Sequence, residues 1–374
     1  MPAITRRGFI KLAASTLAAL AAYRLLSPLI NGVEEAGVEE TGEFSVEVLG
    51  TGLEVPWSLS VLDDNSILVT ERPGRVTRIL DGGGRRTIAK IEVASVGEAG
   101  LLGLALHPDF PGDRRIYLYA TQEAGGRLVN RVLQGKLDPE YTRIDGLRTL
   151  LDGIPGARIH DGGRIRFGPD SMLYITTGDA ARPELAQDLN SLAGKILRIT
   201  PDGEIPGDNP FYPSPVYSYG HRNPQGIDWH PTGRMYSSEH GPIGRDELNE
   251  IVPGGNYGWP YMAGKKGEKR PGLIEPVIDF GDESIAPSGA SFATRGPQSL
   301  KGSMLIACLR ARMLVKVDFD SEGNALNYST LLENRYGRLR DVIPHPDGGI
   351  IIATSNRDGR GTPREGDDKI IRLT

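Results

Sequence analysis

His160 and Asp179 are the residues of this chain best suited to acid–base chemistry. An aspartate that accepts from one imidazole nitrogen leaves the other free to take a proton near neutral pH. A histidine satisfied within a turn would look the same if it stood alone. Arg310, Arg312, Arg338 and Arg340 form two Arg-x-Arg pairs. In an extended strand residues i and i+2 point the same way, so each pair can present two guanidinium groups to one ligand. That suits a multiply anionic ligand held by bidentate carboxylate or phosphate contacts; solvated arginines at strand edges are the simpler alternative. Arg222 with Asn223, and Glu98, add further polar groups. Residues Glu239–Asn249 combine two close glycines and a proline with the hard oxygens of Asp246, Glu247 and Asn249. Mixed backbone and carboxylate oxygens suit Ca²⁺. The spacing is not that of an EF-hand loop, and an Asx-rich turn explains the segment equally well.

These residues occupy repeated places in a pattern of short strands. Six times the chain runs through an apolar strand, a tight turn and a second strand. The pairs are Ser58–Val61 with Ile67–Thr70, Leu101–Leu106 with Ile116–Ala120, Arg164–Phe167 with Leu173–Thr177, Gly226–Trp229 with Met235–Ser238, Ala290–Ala293 with Met304–Ala307, and Asp341–Pro344 with Ile350–Thr354. His-Pro or Gly-Pro marks most of the turns, and the apolar runs are too short for helices. The turns begin near positions 61, 107, 168, 230, 296 and 345. Those gaps exceed one hairpin, so each unit holds about four strands. Radial repetition of such units predicts an all-β fold, a six-bladed β-propeller of four-stranded antiparallel blades. An irregular β-sandwich is the competing arrangement. A short helix is expected near Pro183–Leu192.

In this register Glu98, His160, Arg222 with Asn223, and Arg338 stand at the starts of first strands. Asp179, Glu239-His240, Arg310 and Asn356-Arg357 stand at the ends of second strands, which return to the same face. Unlike residues at equivalent positions round a ring converge at one mouth, where a propeller ligand site is expected.

Composition agrees. The 374 residues include 49 Gly and 27 Pro, about a fifth of the chain, which suits many turns and opposes a helical bundle. A net charge of −5 gives no sequence-wide basic footprint for nucleic acid. One cysteine, Cys308, excludes an internal disulfide and argues against thiolate-held zinc or iron–sulfur. Arg6-Arg7, Phe9 and the Ala/Leu run after them read as a twin-arginine export signal over residues 1–30, or as a retained anchor. Residues 31–42 read as a linker and 43–374 as one catalytic propeller domain. The expected location is extracytoplasmic: secreted, periplasmic or anchored to a membrane through the N-terminal segment.

Several motifs now carry a resemblance. They are Gly100-Leu101-Leu102-Gly103-Leu104-Ala105-Leu106-His107-Pro108, His160-Asp161-Gly162-Gly163-Arg164, Tyr219-Gly220-His221-Arg222-Asn223-Pro224-Gln225-Gly226, Glu239-His240-Gly241-Pro242, Gly255-Asn256-Tyr257-Gly258-Trp259-Pro260 and Arg338-Leu339-Arg340-Asp341. In order and number they resemble the soluble quinoprotein glucose/sorbosone dehydrogenase family, above all its aldose sugar dehydrogenases, which use pyrroloquinoline quinone (PQQ). The resemblance implies a six-bladed propeller. It also implies oxidation of an aldose at C1 to the lactone, with PQQ and Ca²⁺ as cofactors and an external electron acceptor. It makes His160 the base, in contact with the cofactor as well, Asp179 its orienting partner, and Arg222 a third catalytic residue. Arg222 and Asn223 match positions beside the quinone oxygens. Arg310, Arg338 and Arg340 match those that hold the PQQ carboxylates, with Arg312 and Glu98 nearby. Gly241 and Pro242 match carbonyl ligands of Ca²⁺. Glu247 and the Tyr257 carbonyl match a second calcium site of some members.

Two departures stand out. Glu98 replaces a glutamine of relatives, and its carboxylate must be protonated, paired with an arginine or turned toward calcium, or it would repel PQQ. Insertions that shape the sugar pocket and dimer contacts of glucose-specific members are not evident, so a broad, open pocket is expected; monomer and dimer are both compatible with the chain. Two other functions fit a propeller mouth, a non-catalytic binding module and a calcium-dependent lactonase. The first has no use for a His160–Asp179 pair, and the second none for four arginines.

Overall fold

The structure is a computed structural model, and it describes residues 39–40, 44–267 and 271–374. The export segment and most of the linker expected from the sequence lie outside the described residues. No helix among the described residues is long and apolar enough to cross a membrane.

The described residues form six sheets of four or more antiparallel strands and one small two-stranded ribbon. The first blade comprises Pro56–Val61, Ile67–Glu71, Arg75–Ile79 and Arg85–Lys90, in spatial order as in sequence. The second blade starts at Leu101–Leu106, the third at Ile165–Phe167, the fourth at Pro224–Trp229 and the fifth at Pro287–Phe292. In the sixth, Leu339–Pro344, Ile350–Thr354 and Ile370–Leu373 are completed by Ser45–Gly50 from the other end of the domain, in antiparallel register with Val46 opposite Leu373. This closure ties the two ends of the domain together within one blade. The first strands neighbour one another in sequence order, and the sixth returns to the first, so they line one axis.

Apolar side chains fill the spaces between blades. Leu305, Ala307 and Leu314 of the fifth blade pack on Val342, Ile350 and Ile352 of the sixth. Trp57, Tyr117, Tyr119, Ile175 and Leu197 pack together from the first three blades. All six hairpins form where the sequence predicts them. The helix expected near Pro183–Leu192 is a single 3₁₀ turn, Pro183–Ala186.

The His-Pro turns have a plain physical cause. His107, His230 and His345 are buried, and each accepts through Nδ1 the N–H two residues on: Asp109 at 3.2 Å, Thr232 at 3.3 Å and Asp347 at 3.2 Å. Half of the histidines are therefore turn-formers at one end of the barrel axis. His160, His221 and His240 belong to the other end.

Candidate active site

At that other end, starts of first strands and ends of second strands meet. His160 adopts a left-handed backbone (φ 62°), just before the third blade. Its N–H donates to Glu98 Oε2 at 2.9 Å, and its carbonyl accepts from Ala180 N–H at 3.2 Å. A Cβ at Gly178 would lie 1.9 Å from that carbonyl, so the glycine is what permits the approach.

The His160 ring is only slightly exposed and Asp179 is fully buried. His160 Nδ1 lies 2.8 Å from Asp179 Oδ1, which also accepts from Ala181 N–H at 2.8 Å. Asp179 Oδ2 accepts from Trp259 Nε1 at 2.8 Å. An aspartate surrounded by N–H groups is the acceptor, so the imidazole proton sits on Nδ1 and Nε2 keeps its lone pair. The arrangement is that of a general base with its orienter.

Arg222 and Asn223 are fixed by the next blade. Their N–H groups donate to Glu239 Oε1, whose Oε2 accepts from His221 Nδ1 at 2.8 Å. Arg222 Nη1 donates to the His240 carbonyl at 3.3 Å, and its guanidinium lies 5.4 Å from the centre of the Trp259 ring. Asn223 Oδ1 accepts from Gly162 N–H at 3.0 Å, which leaves its amide nitrogen free.

A cavity of about 230 Å³ opens at this end; of the expected site residues Glu98 and Arg340 line it, whereas His160, Asp179, Arg222, Asn223 and Arg338 do not. Trp57, Arg72, Glu98, Asp161, His240 and Arg340 contribute to its wall, and so do Asp358 and Arg360. Arg338 and Arg340 are buried and converge on Asp358: Arg338 Nη2 lies 2.8 Å from Oδ2 and Arg340 Nη2 3.7 Å from it. Arg340 Nη1 also donates to Gln225 Oε1 at 3.0 Å. Burial pushes the Arg340 pKa down to about 9, against the pull of Asp358, and it remains a cation at neutral pH.

Burial works against the Glu98 carboxylate as well. The His160 N–H and Arg360 outweigh it and hold the pKa down at about 2. Arg360 Nη1 donates to Glu98 Oε1 at 2.6 Å. Of the three fates open to Glu98, pairing with an arginine is the one observed.

Arg310 and Arg312 do not behave as the strand argument expects. They lie in the turn between Met304–Cys308 and Met313–Phe319, not in a strand. Both are exposed, and Arg312 takes φ 54°. A turn breaks the two-residue alternation, so this pair does not present a shared face as Arg338 and Arg340 do. Neither contributes to the cavity wall.

The Gly241–Pro242 loop follows His240. Gly241 N–H donates to Asp246 Oδ1 at 2.8 Å. Asp246 Oδ2 is spent on Ser284 Oγ, Ile285 N–H and Ala286 N–H at 3.0, 2.7 and 2.8 Å. Asp246 is thus a staple for the loop and not a free oxygen donor. Behind it, Glu239 and Glu247 face each other in strand register, both buried. Burial, then the Glu239 charge, pushes Glu247 up to about 8. Asn249 Nδ2 donates to Glu247 Oε2 at 2.9 Å, while Asn249 Oδ1 is buried with no partner. Tyr257 is buried and stacks on His221 with ring centres 4.7 Å apart. Two buried carboxylates and an orphaned amide oxygen suit a hard cation. Among the described residues no group of three or more His, Cys, Asp or Glu is arranged to hold a metal. A calcium here would therefore draw on backbone carbonyls.

Several buried nitrogens around the mouth lack any partner: Arg72 Nε, Arg222 Nε, Asn223 Nδ2, Arg340 Nε and His240 Nε2. Burying such groups unpaired is costly. Arg72, His240 and Arg340 among them line the cavity, and with Arg360 they give it a cationic wall suited to a ligand rich in oxygen acceptors. Sequence reasoning gives no role to Trp57, Asp161, Gln225, Asp358 or Arg360. The last two lie just beyond the Asn356-Arg357 position it singles out, on a glycine-rich loop that reads as solvated.

The family model described as Glucose / Sorbosone dehydrogenase matches residues 53–371. The chain is 34% identical over 340 residues to the aldose sugar dehydrogenase of Escherichia coli, covering 84% of this chain and 91% of that one. It is 35% identical over 416 aligned positions to quinoprotein glucose dehydrogenase B of Acinetobacter calcoaceticus, covering 84% and 86%. The PQQ-bound aldose sugar dehydrogenase of Streptomyces coelicolor superposes with a TM-score of 0.81 at 40% identity, covering 90% of this chain and 99% of that one.

Proposed function

The chain belongs to the glucose/sorbosone dehydrogenase family, and on that footing we propose that it is a PQQ- and calcium-dependent dehydrogenase that oxidises aldose sugars at C1 to the lactone and passes electrons to an external acceptor. The observation that carries the reading is the cluster of Arg72, Arg340 and Arg360 in the wall of one cavity. A planar tricarboxylate with quinone oxygens supplies acceptors for such a set, and a neutral sugar alone does not need so many cations.

In this reading Arg338 and Arg340 oppose the carboxylates, while Arg222 and Asn223 face the quinone oxygens. Arg310 and Arg312 contribute cationic charge from the rim. The Gly241 and Pro242 carbonyls hold the cofactor's Ca²⁺, and Glu247 with the Tyr257 carbonyl holds a second one. Bound PQQ supplies the acceptor for the C1 hydride, and Ca²⁺ the Lewis acid that polarises its carbonyl. His160 Nε2 takes the proton of the anomeric hydroxyl. Asp179 stabilises the imidazolium that results, and the Trp259 N–H keeps the carboxylate aimed at Nδ1. Loss of that proton and of the C1 hydride together converts the hemiacetal carbon to the lactone carbonyl. The protein acts outside the cytoplasm after twin-arginine export, without nucleic-acid partners, and contacts a membrane only through its N-terminal segment.

The test is reconstitution. Purified full-length chain is loaded with PQQ and Ca²⁺, separated from free cofactor, and assayed for dye reduction with a panel of aldoses. Bound quinone absorbance and sugar-dependent dye reduction are expected. A protein that retains no quinone and reduces no dye with any aldose would overturn the proposal.

A further inference from the structure

Lys195 is a buried cation that the chemistry above does not use. It opens the third strand of the third blade, Lys195–Ile199, and is fully buried. Its Nζ donates to three main-chain carbonyls: Leu185 at 2.8 Å, Ala186 at 3.1 Å and Ala193 at 2.7 Å. A neutral amine carries two N–H groups and an ammonium three, so a cage of three carbonyls fits the charged form. Burial pulls the Lys195 pKa down to about 7, with Asp188 pulling the other way. The carbonyl dipoles take the place of the water that the charge has lost.

Leu185 and Ala186 end the 3₁₀ turn Pro183–Ala186, and the last carbonyls of so short a turn need partners from outside it. Two threads hang from the caged carbonyls. In the first, Leu185 N–H donates to the Arg182 carbonyl and Arg182 N–H to the Asp179 carbonyl, each at 3.0 Å. In the second, the Ala186 carbonyl also accepts from Gly220 N–H at 2.9 Å, and the Gly220 carbonyl accepts from Trp259 N–H at 2.9 Å. Gln187, next after the turn, donates through Nε2 to the Trp259 carbonyl at 2.6 Å. The third caged carbonyl, that of Ala193, precedes Gly194, whose N–H donates to the Gly178 carbonyl at 2.7 Å. The threads end on Asp179 and Trp259, the two partners of the Nε1–Oδ2 hydrogen bond behind the base. We infer that Lys195 is a positioning residue: its ammonium gathers the three carbonyls, so fixing both partners of the Trp259–Asp179 hydrogen bond and, through them, the orientation of His160.

A lysine that only stabilised its blade would leave the base where it is. Lys195→Met keeps most of the side-chain volume and deletes all three hydrogen bonds. The turn is then free to shift, and the Trp259–Asp179 bond should lengthen or break. Misplacement of a catalytic group by about 1 Å costs on the order of 10²-fold in rate, so kcat of the loaded protein should fall about 10- to 100-fold. In an Asp179→Asn background the same substitution should cost no more than about threefold, because the carboxylate it positions is already gone. Residues that act through one contact are not additive, whereas independent structural losses are.

The loss of kcat rests on the PQQ reading; the hydrogen bond itself can be followed without cofactor. The chain has three tryptophans, Trp57, Trp229 and Trp259. Their indole N–H signals are recorded by NMR on cofactor-free full-length protein carrying isotope-labelled tryptophan, and Trp259→Phe identifies the one from Trp259. In wild type that signal should be shifted downfield and exchange slowly with solvent, as a donor to a buried carboxylate does. In Lys195→Met it should lose both properties, while the Trp57 and Trp229 signals stay in place. Lys195→Gln, which keeps a shorter donor, covers the case in which methionine prevents folding, and should move the Trp259 signal less in the same direction. An unchanged Trp259 signal in a folded variant would overturn the positioning role. So would equal kcat losses with and without the Asp179 carboxylate. A wild-type protein that binds no PQQ and oxidises no aldose defeats the cofactor reading, and the Trp259 signal then decides the role of Lys195 on its own.

Discussion

Glu98 and Arg360 meet across the mouth, Oε1 to Nη1 at 2.6 Å, and join the segment before the second blade to a loop of the sixth. The pairing neutralises an ionised carboxylate that would otherwise repel an anionic cofactor from this wall. Arg360→Ala leaves Glu98 charged and unpaired, and PQQ affinity should fall about tenfold, the value of one partly exposed charge-assisted contact. Glu98→Gln in the same chain should restore affinity to within about threefold, because the glutamine oxygen still accepts from His160 N–H. Titration of PQQ into the three proteins checks this; wild-type affinity in Arg360→Ala would discard the neutralising role. Acid stability follows from the same pair. The folded pKa of Glu98, about 2, lies below its ordinary 4.5. Its contribution is therefore full above about pH 4.5 and disappears as pH falls toward 2. The Tm gap between wild type and Glu98→Gln should narrow over that window.

His160→Ala removes the base and Asp179→Asn removes the acceptor that fixes its tautomer. Each should lower kcat by about 10²–10⁴-fold, the range for loss of a positioned general base. The charged contacts to the cofactor come from the arginines, so PQQ affinity should stay within about threefold. Stopped-flow reduction of the loaded protein by sugar separates the two effects. Full activity in a loaded His160→Ala protein would remove the base assignment.

Trp259 serves two partners at once, Asp179 through Nε1 and Arg222 through its ring. Trp259→Phe deletes the hydrogen bond and keeps a ring for the guanidinium. A hydrogen bond to a charged group is worth roughly 1.5–3 kcal/mol, so kcat should fall about tenfold or more while PQQ affinity holds. Trp259→Ala loses both contacts, and its PQQ affinity should fall as well. Parallel measurement of kcat and of PQQ Kd tells positioning from general disruption: equal loss of both in Trp259→Phe would count against positioning.

The six hairpins were legible because proline, glycine and histidine punctuate strands too short to be anything else. His107, His230 and His345 show why the punctuation repeats, since each imidazole closes its own turn. The closure of the sixth blade by Ser45–Gly50 was not legible, because pairing between the ends of a domain leaves no local signal. His160, Asp179, Arg222 and Arg338 could be placed at one mouth from their equivalence in the repeat. Asp358 and Arg360 could not: on a glycine-rich loop, a charge turned inward looks the same in sequence as one turned to water. The Arg310–Arg312 pair failed for a related reason. The two-residue alternation holds only within a strand, and these residues form the turn after one.

That contrast can be measured. Arg340→Ala removes a buried guanidinium whose Nε awaits a partner, and leaves Asp358 less balanced. PQQ affinity should fall about 30-fold or more, as for truncating one member of a buried charged contact. Arg312→Gly instead relieves a left-handed backbone that costs a side-chain-bearing residue about 1 kcal/mol. It should leave PQQ affinity within about threefold and raise or preserve the Tm. Comparable affinity losses in the two variants would show that the exposed turn holds cofactor as firmly as the buried pair.

Gly178 offers the most local test of how the backbone sets the chemistry. An added Cβ meets the His160 carbonyl oxygen at 1.9 Å and Asn223 Oδ1 at 3.0 Å. The carbonyl belongs to the main chain and cannot rotate away, so His160 or Asp179 must shift. Misplacement of a catalytic group by about 1 Å costs on the order of 10²-fold in rate, and overpacking of this kind about 1–3 kcal/mol in stability. Gly178→Ala should therefore lose both kcat and several degrees of Tm. Gly207→Ala is the control, because its Cβ points into open space at an ordinary backbone angle. It should be neutral or slightly stabilising, since alanine lowers the entropy of the unfolded chain. Wild-type kcat in Gly178→Ala would mean that the close approach at this glycine does not set the position of the base.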